Sequence, residues 1–165
     1  MSELPFVDEH ALVIGAPPGA VWGALLAQVP RSFERRTSEV GARLLGCEHS
    51  VSSGPRPLAP GSTFPGFVVA LADPALLLSL EGSHRFSRYR LDFALDGLDE
   101  GRTRLRARTW AAFPGLRGRV YRAAVIGTRG HVVVLRRVLA AVARRARRVS
   151  SRAGGPTEAG IGSAR

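Results

Sequence analysis

The chain has 165 residues, 45% of them hydrophobic, so it is long enough for one domain and too apolar to be disordered over most of its length. A single cysteine, Cys47, excludes an internal disulfide and a cysteine cluster around a metal; the four histidines are dispersed, so neither metal nor cofactor is expected. The net charge is +11, and all 24 basic residues are arginines.

This charge belongs entirely to the C-terminal part of the chain. Residues 1–114 contain 12 arginines and 12 acidic residues, whereas residues 115–165 contain 12 arginines and one acid, Glu158. Such a run attracts the phosphates of nucleic acid or anionic lipid, but a solvated helix face has the same composition. The acidic start lacks the pattern of a signal peptide, and no run of about 18 apolar residues occurs, so a cytoplasmic protein is expected.

The first half of the chain alternates short apolar runs with breaks rich in proline and glycine. Residues 10–15 predict a strand, and the prolines after it open a helix that ends at Pro30. A short helix is then expected at 31–36 and a strand within 40–52. The next strand, over 63–72, is interrupted by a Pro-Gly pair.

Three further strands are predicted over 76–81, 84–95 and 102–113, with a tight turn between the first two at Gly82 and Ser83. In the last two, apolar and charged residues alternate, so one face of the sheet is buried and the other wet. If the turn pairs residue 96 with residue 102, Asp92 lies opposite Arg106 and Phe93 opposite Leu105.

A long helix is predicted over 116–148, because apolar residues recur there at steps of three and four. The stripe consists of Val120, Ala124, Gly127, His131, Leu135, Val138 and Val142. We expect residues 1–148 to form the domain and residues 149–165, which have little to bury, to be a disordered basic tail.

The order of a strand, a helix opening on Pro-Pro, a meander of strands and one long C-terminal helix resembles the START-like or SRPBCC superfamily. The likeness covers about residues 8–145. The segment that resembles the superfamily is IGAPPGAVW at 14–22. Three further segments resemble an uncharacterised actinobacterial branch of it: EGSHRFSRY at 81–89, AFPGLRGRVYR at 112–122 and IGTRGH at 126–131. The resemblance implies an α+β helix-grip fold, with a curved antiparallel sheet of six or seven strands wrapped around the long C-terminal helix.

The resemblance also implies a cavity between the sheet and that helix, and the sequence supplies candidates for its wall. Polar-tipped or aromatic residues on the inward face of the strands and on the helix could orient a ligand. They are Tyr89, Thr109, Phe113, Tyr121 and His131. Arg85 and Arg122 are candidates for pairing an anionic head group. Each candidate has a structural alternative: a core tyrosine or histidine with an internal partner, or an arginine in an ion pair.

Three functions remain open at this point. The first is binding of an apolar lipid-like or polyketide-like molecule. The second is an enzyme of the polyketide cyclase or dehydratase type, with His131 or Tyr89 as acid–base residue, although phosphate-loop, zinc-protease and nucleophile-elbow motifs are missing. The third is weak docking on anionic membrane or nucleic acid through Arg144, Arg145, Arg147 and Arg148; no obligate protein partner is expected.

Overall fold

The computed structural model describes residues 4–33, 36–116, 118, 120, 123 and 130–153. Six strands and three helices have defined bounds. The strands are β1 (Phe6–Ile14), β2 (Thr63–Phe64), β3 (Phe67–Asp73), β4 (Leu77–His84), β5 (Ser87–Leu98) and β6 (Arg102–Ala112). The helices are α1 (Pro18–Phe33), α2 (Arg36–Leu45) and α3 (Gly130–Ala153).

The six strands form one antiparallel sheet in the order β1-β6-β5-β4-β3-β2. The chain starts at one edge, makes its helices α1 and α2, and returns from the opposite edge strand by strand until β6 pairs with β1. Helix α3 packs mainly against α1 and β1. This arrangement confirms the predicted α+β helix-grip fold.

The hairpin of β5 and β6 confirms the predicted faces but not the predicted register. Leu95 pairs with Leu105, Phe93 with Ala107, and Asp92 with Arg108, so the register differs by two residues. The strands run on to Leu98 and Arg102, and a single 3-10 turn over Asp99–Gly101 closes the hairpin, with Gly101 at a φ of 67°. Because the shift is even, every side chain keeps its face.

Four other sequence predictions are wrong. Helix α1 does not end at Pro30 but continues to Phe33. Pro30 lacks an N–H donor and so removes one backbone hydrogen bond, but the residues after it remain helical for about one turn. The predicted short helix at 31–36 and strand within 40–52 are replaced by α2, Arg36–Leu45. The strand over 84–95 begins at Ser87 instead, because β4 continues through Gly82 to His84.

The core lies between the concave face of the sheet, α1 and the later turns of α3. Leu105, Phe93 and Ile14 of the sheet are fully buried. From α3 they meet a stripe of buried residues, namely Leu135, Val138, Leu139, Val142, Ala143 and Ala146. This confirms the later part of the predicted stripe, whereas Val120, its first residue, is exposed.

The buried Thr103 hydroxyl fixes the sheet to the segment before α1, because it donates to the Ala16 carbonyl at 2.8 Å. Helix α3 extends to Ala153, beyond the boundary predicted at 148. The rest of the predicted tail lies outside the described residues. None of the described helices is long and apolar enough to cross a membrane.

Candidate functional site

A cavity of about 400 Å³ lies between the concave face of the sheet, α2 and the first turns of α3. Much of its lining is small: Gly41, Ala42, Gly66, Ser87 and Ala111 all contribute. Larger side chains close the remaining wall, including Phe33, Phe67, Leu91, Phe113, Val134 and Leu135. Because short side chains from three different elements meet here, they leave a space. In the core, long side chains fill the corresponding space.

A histidine–aspartate pair stands at one wall of this cavity. His131, in the first turn of α3, lines the cavity, and its Nε2 lies 2.7 Å from Oδ2 of Asp8. Asp8 belongs to β1, where it pairs across the strands with Thr109, another lining residue. His10 Nε2 approaches the same carboxylate oxygen at 3.2 Å. The side chains of His131 and Asp8 are 19% and 20% exposed, so both are largely buried.

The environment of Asp8 favours its ionised form. Burial raises the pKa of this carboxyl, but hydrogen bonds from His131 and His10, the nearby Thr109 hydroxyl and the charge of His131 outweigh burial and hold the pKa below its ordinary value of 3.8. The Thr109 hydroxyl is close enough to contribute, although in the described part of the chain it makes no hydrogen bond of good geometry. A carboxylate that stays charged can accept a hydrogen bond from the His131 ring and fix its orientation.

Tyr89 lies on the same cavity but its hydroxyl is engaged. It donates to the Gly66 carbonyl at 2.7 Å, and its ring packs edge-on against Phe67 with 5.3 Å between the ring centroids. Gly82 permits this packing, because a Cβ there would lie 2.5 Å from the tyrosine ring and 2.1 Å from the Gly66 oxygen. Tyr89 thus joins β5 to the turn between β2 and β3.

Cys47 and His84 complete the wall around Tyr89. Burial raises the pKa of the Cys47 thiol, and a hydrogen bond with Tyr89 opposes that shift without cancelling it. Burial also lowers the pKa of His84, whose Nδ1 accepts the Phe86 N–H at 3.1 Å and whose Nε2 contacts the Ser87 hydroxyl at 2.9 Å. Both groups are therefore neutral near pH 7.

The structure brings four of the predicted site residues to one cavity: Tyr89, Thr109, Phe113 and His131. Arg85 does not line it; the side chain lies against Gly46 and borders a separate shallow pocket with Phe86 and Leu116. Tyr121 and Arg122 lie outside the described residues.

Sequence reasoning missed Asp8. An acid near the start of a strand is ordinarily a surface residue, and its partner is 123 positions away in the chain. The one available signal was spacing: Asp8, His10, Leu12 and Ile14 share the inward face of β1. Among the described residues, no group of three or more histidine, cysteine or acidic side chains could hold a metal ion.

No protein-family model matches the sequence, and no curated protein matches it. Solved structures do match. An aromatase/cyclase from Streptomyces sp. R1128 is 19% identical, with 93% of this chain and 100% of that chain covered and a TM-score of 0.52. A protein from Thermobifida fusca is 17% identical over 85% and 92% of the two chains, with a TM-score of 0.54.

A norcoclaurine synthase from Thalictrum flavum, solved with a transition-state analogue, is 11% identical over 90% of this chain and 99% of that chain, with a TM-score of 0.54. The chain therefore shares the fold of these structures, the α+β helix-grip fold that its sequence predicted. At such low identity the likeness concerns the fold and leaves the ligand and the chemistry to be argued from the site.

Proposed function

We propose that the protein binds an apolar small molecule, of lipid-like or polyketide-like character, in the cavity between the sheet and α3. The observation that carries the proposal is the cavity itself, about 400 Å³ with a wall built mostly of carbon. That volume lies within the range of about 300–1,000 Å³ typical of small-molecule sites, which combine apolar walls with a few polar groups. The His131–Asp8 pair supplies such a group.

Uptake of a fluorescent apolar probe tests this function. We expect 1-anilinonaphthalene-8-sulfonate to bind the folded protein with enhanced fluorescence, and Ala111→Phe to abolish the enhancement, because Ala111 lines the cavity and a phenyl ring would fill it. Ala70→Phe, on an exposed position of β3, is the matched control and should bind as the parent does. Native mass spectrometry of the protein from cell extract would then give the mass of a natural ligand. A parent chain that takes up no probe, or an equal loss in both variants, would refute the proposal.

A second candidate function, acid–base catalysis, is favoured by the short His131–Asp8 contact on the cavity wall. In this mechanism the imidazole accepts a proton from a methylene group between two carbonyls of a poly-β-keto chain. The resulting enolate attacks another carbonyl of the same molecule, and the alkoxide so formed takes the proton back from the imidazolium. Asp8 stabilises the imidazolium between the two transfers. Tyr89 is a weaker candidate, since its hydroxyl already donates to Gly66.

Turnover of a poly-β-keto substrate separates this function from simple binding. We expect His131→Ala to lower kcat by about 10²-fold or more, the usual contribution of a general base, and Tyr89→Phe to retain most of it. Probe uptake by His131→Ala shows that the cavity persists. A folded His131→Ala variant with unchanged turnover would remove the catalytic role and leave the binding role standing.

A further inference from the structure

The walls of the cavity carry exposed aliphatic residues on their outer side. Twelve large hydrophobic side chains are exposed in the described part of the chain, and six of them lie on just three segments: α2, residues 113–120, and the first turns of α3. We call these six the rim patch: Val40, Leu44, Leu116, Val120, Val133 and Val134. It includes the three most exposed of the twelve, Leu44 at 75%, Leu116 at 70% and Val120 at 68%.

The same three segments supply much of the cavity wall. Gly41, Ala42 and Leu45 line it from α2, Phe113 from the second segment, and His131, Val134 and Leu135 from α3. Two of the segments also meet at the turn between β4 and β5, because the Arg85 N–H donates to the Leu45 carbonyl of α2 and a pocket beside Arg85 is bordered by Leu116. The rim patch therefore lies on the segments that form the cavity wall rather than being scattered over the surface.

The segments that carry the rim patch have an excess of arginine over acidic residues. Helix α2 contains Arg36 and Arg43 against one acid, Glu39. Residues 113–137 include six arginines and no acidic residue. Arg137 is exposed and follows Val133 and Val134 by one helical turn, on the same face of α3, and Arg43 is exposed beside Leu44 on α2. Protruding aliphatic side chains with arginines among them match the boundary between acyl chains and anionic head groups, where both gain free energy. Nucleic acid would satisfy the arginines but not the aliphatic side chains.

We propose that the rim patch docks on an anionic bilayer, so that an apolar molecule passes between the membrane and the cavity without crossing water. The inference rests on the proposed binding function, and it identifies the bilayer as the surface that the rim patch binds. It places the membrane contact on the rim patch and not on the arginines at the end of α3. Leu44 and Leu116 enter the acyl boundary, and Arg43 and Arg137 contact the head groups.

Vesicle sedimentation tests the docking. The full chain is mixed with vesicles of phosphatidylcholine alone or of phosphatidylcholine with phosphatidylglycerol, at low and at high NaCl. We expect binding to the anionic vesicles only, weakened by salt. Leu44→Ser/Leu116→Ser should lower the partition coefficient at least about tenfold, because two leucines lose their burial in the acyl boundary. Leu71→Ser/Leu76→Ser, which alters two exposed leucines outside the rim patch, is the matched control and should bind as the parent does.

Each other outcome is decisive. Absence of binding, equal binding to both vesicle types, or equal losses in the rim variant and its control would overturn the docking. So would a loss confined to Arg147→Gln/Arg148→Gln, which would place the contact at the end of α3. Uptake of the fluorescent probe is measured on the same samples. A parent chain that takes up the probe but does not bind vesicles would refute the docking proposal alone. A parent chain that takes up no probe would refute the proposed binding function.

Discussion

The two ends of helix α3 meet the rest of the molecule in different ways. From Val138 to Ala146 the helix presents a buried apolar stripe to α1 and the sheet. In its first turns, His131, Val134 and Leu135 instead face a cavity of about 400 Å³. One helix is thus a core element at one end and a cavity wall at the other.

Side-chain volume along one strand explains this difference. On the inward face of β6, Leu105 and Ala107 are completely buried, and Phe93 of β5 pairs with Ala107 to fill the space above it. Four residues further along the same face, Ala111 pairs with Tyr89, whose ring is drawn aside toward Gly66. Both ends pair an alanine with an aromatic residue, but only at the packed end does the ring fill the space beside the alanine.

The packed end should be the more sensitive to loss of volume. Phe93→Ala removes a completely buried ring and should lower the free energy of unfolding by about 3–5 kcal/mol. Denaturant unfolding followed by circular dichroism measures the change. A cost below about 1 kcal/mol would mean that this end is as loosely filled as the cavity.

Added volume should separate the two ends most directly. Ala107→Phe and Ala111→Phe make the same change on one face of one strand. The first should cost about 1–3 kcal/mol or more through overpacking. The second places its ring in the cavity and should cost less than about 1 kcal/mol. Equal losses in denaturant unfolding would erase the distinction between the ends.

The Asp8–His131 contact should make a smaller contribution to stability. Asp8→Asn replaces a charged acceptor by a neutral one, and because both partners are about 20% exposed we expect a loss of about 1 kcal/mol near pH 7. Since the pKa of Asp8 is lowered by folding, its stabilisation is present above the ordinary value of 3.8 and is lost as pH falls through the folded-state pKa. The unfolding free energies of parent and variant should therefore converge in acid; parallel curves would contradict the assignment.

The smallest effect is expected from His84. Burial lowers its pKa, so the folded state resists protonation and stability is lost as pH falls through the ordinary value of 6.5. Protonation would also end the acceptance of the Phe86 N–H by Nδ1. Melting temperatures between neutral pH and mild acid should decline less steeply for His84→Gln than for the parent. An equal slope would show that His84 does not contribute.

The sequence predicted the faces of the strands better than their partners. Alternation along β5 and β6 is a local property, so the burial of Leu91, Phe93 and Leu105 followed from it. The register depended on the geometry of the turn at 99–101, because Gly97 and Leu98 extend β5 and shift the pairing by two residues. Helix α2 was missed because its apolar residues are few and Val40 and Leu44 remain exposed, so little burial pattern marks it.

The candidate site was predictable only in part, for the same physical reason. Tyr89, Thr109 and His131 stood out because polar groups on an apolar face are uncommon. Asp8 did not, since only the docking of α3 on β1 brings it to His131. The cavity exists because several elements contribute small side chains at the same place in the fold. Small residues within one element do not show that those of the other elements lie beside them.

The divided use of α3 has a consequence for how such a chain can change over generations. Substitutions in its first turns alter what the cavity accepts, while the later turns continue to hold the fold. Under the proposed binding function, ligand preference and foldability are encoded in separate stretches of one helix, and selection can act on the first without eroding the second.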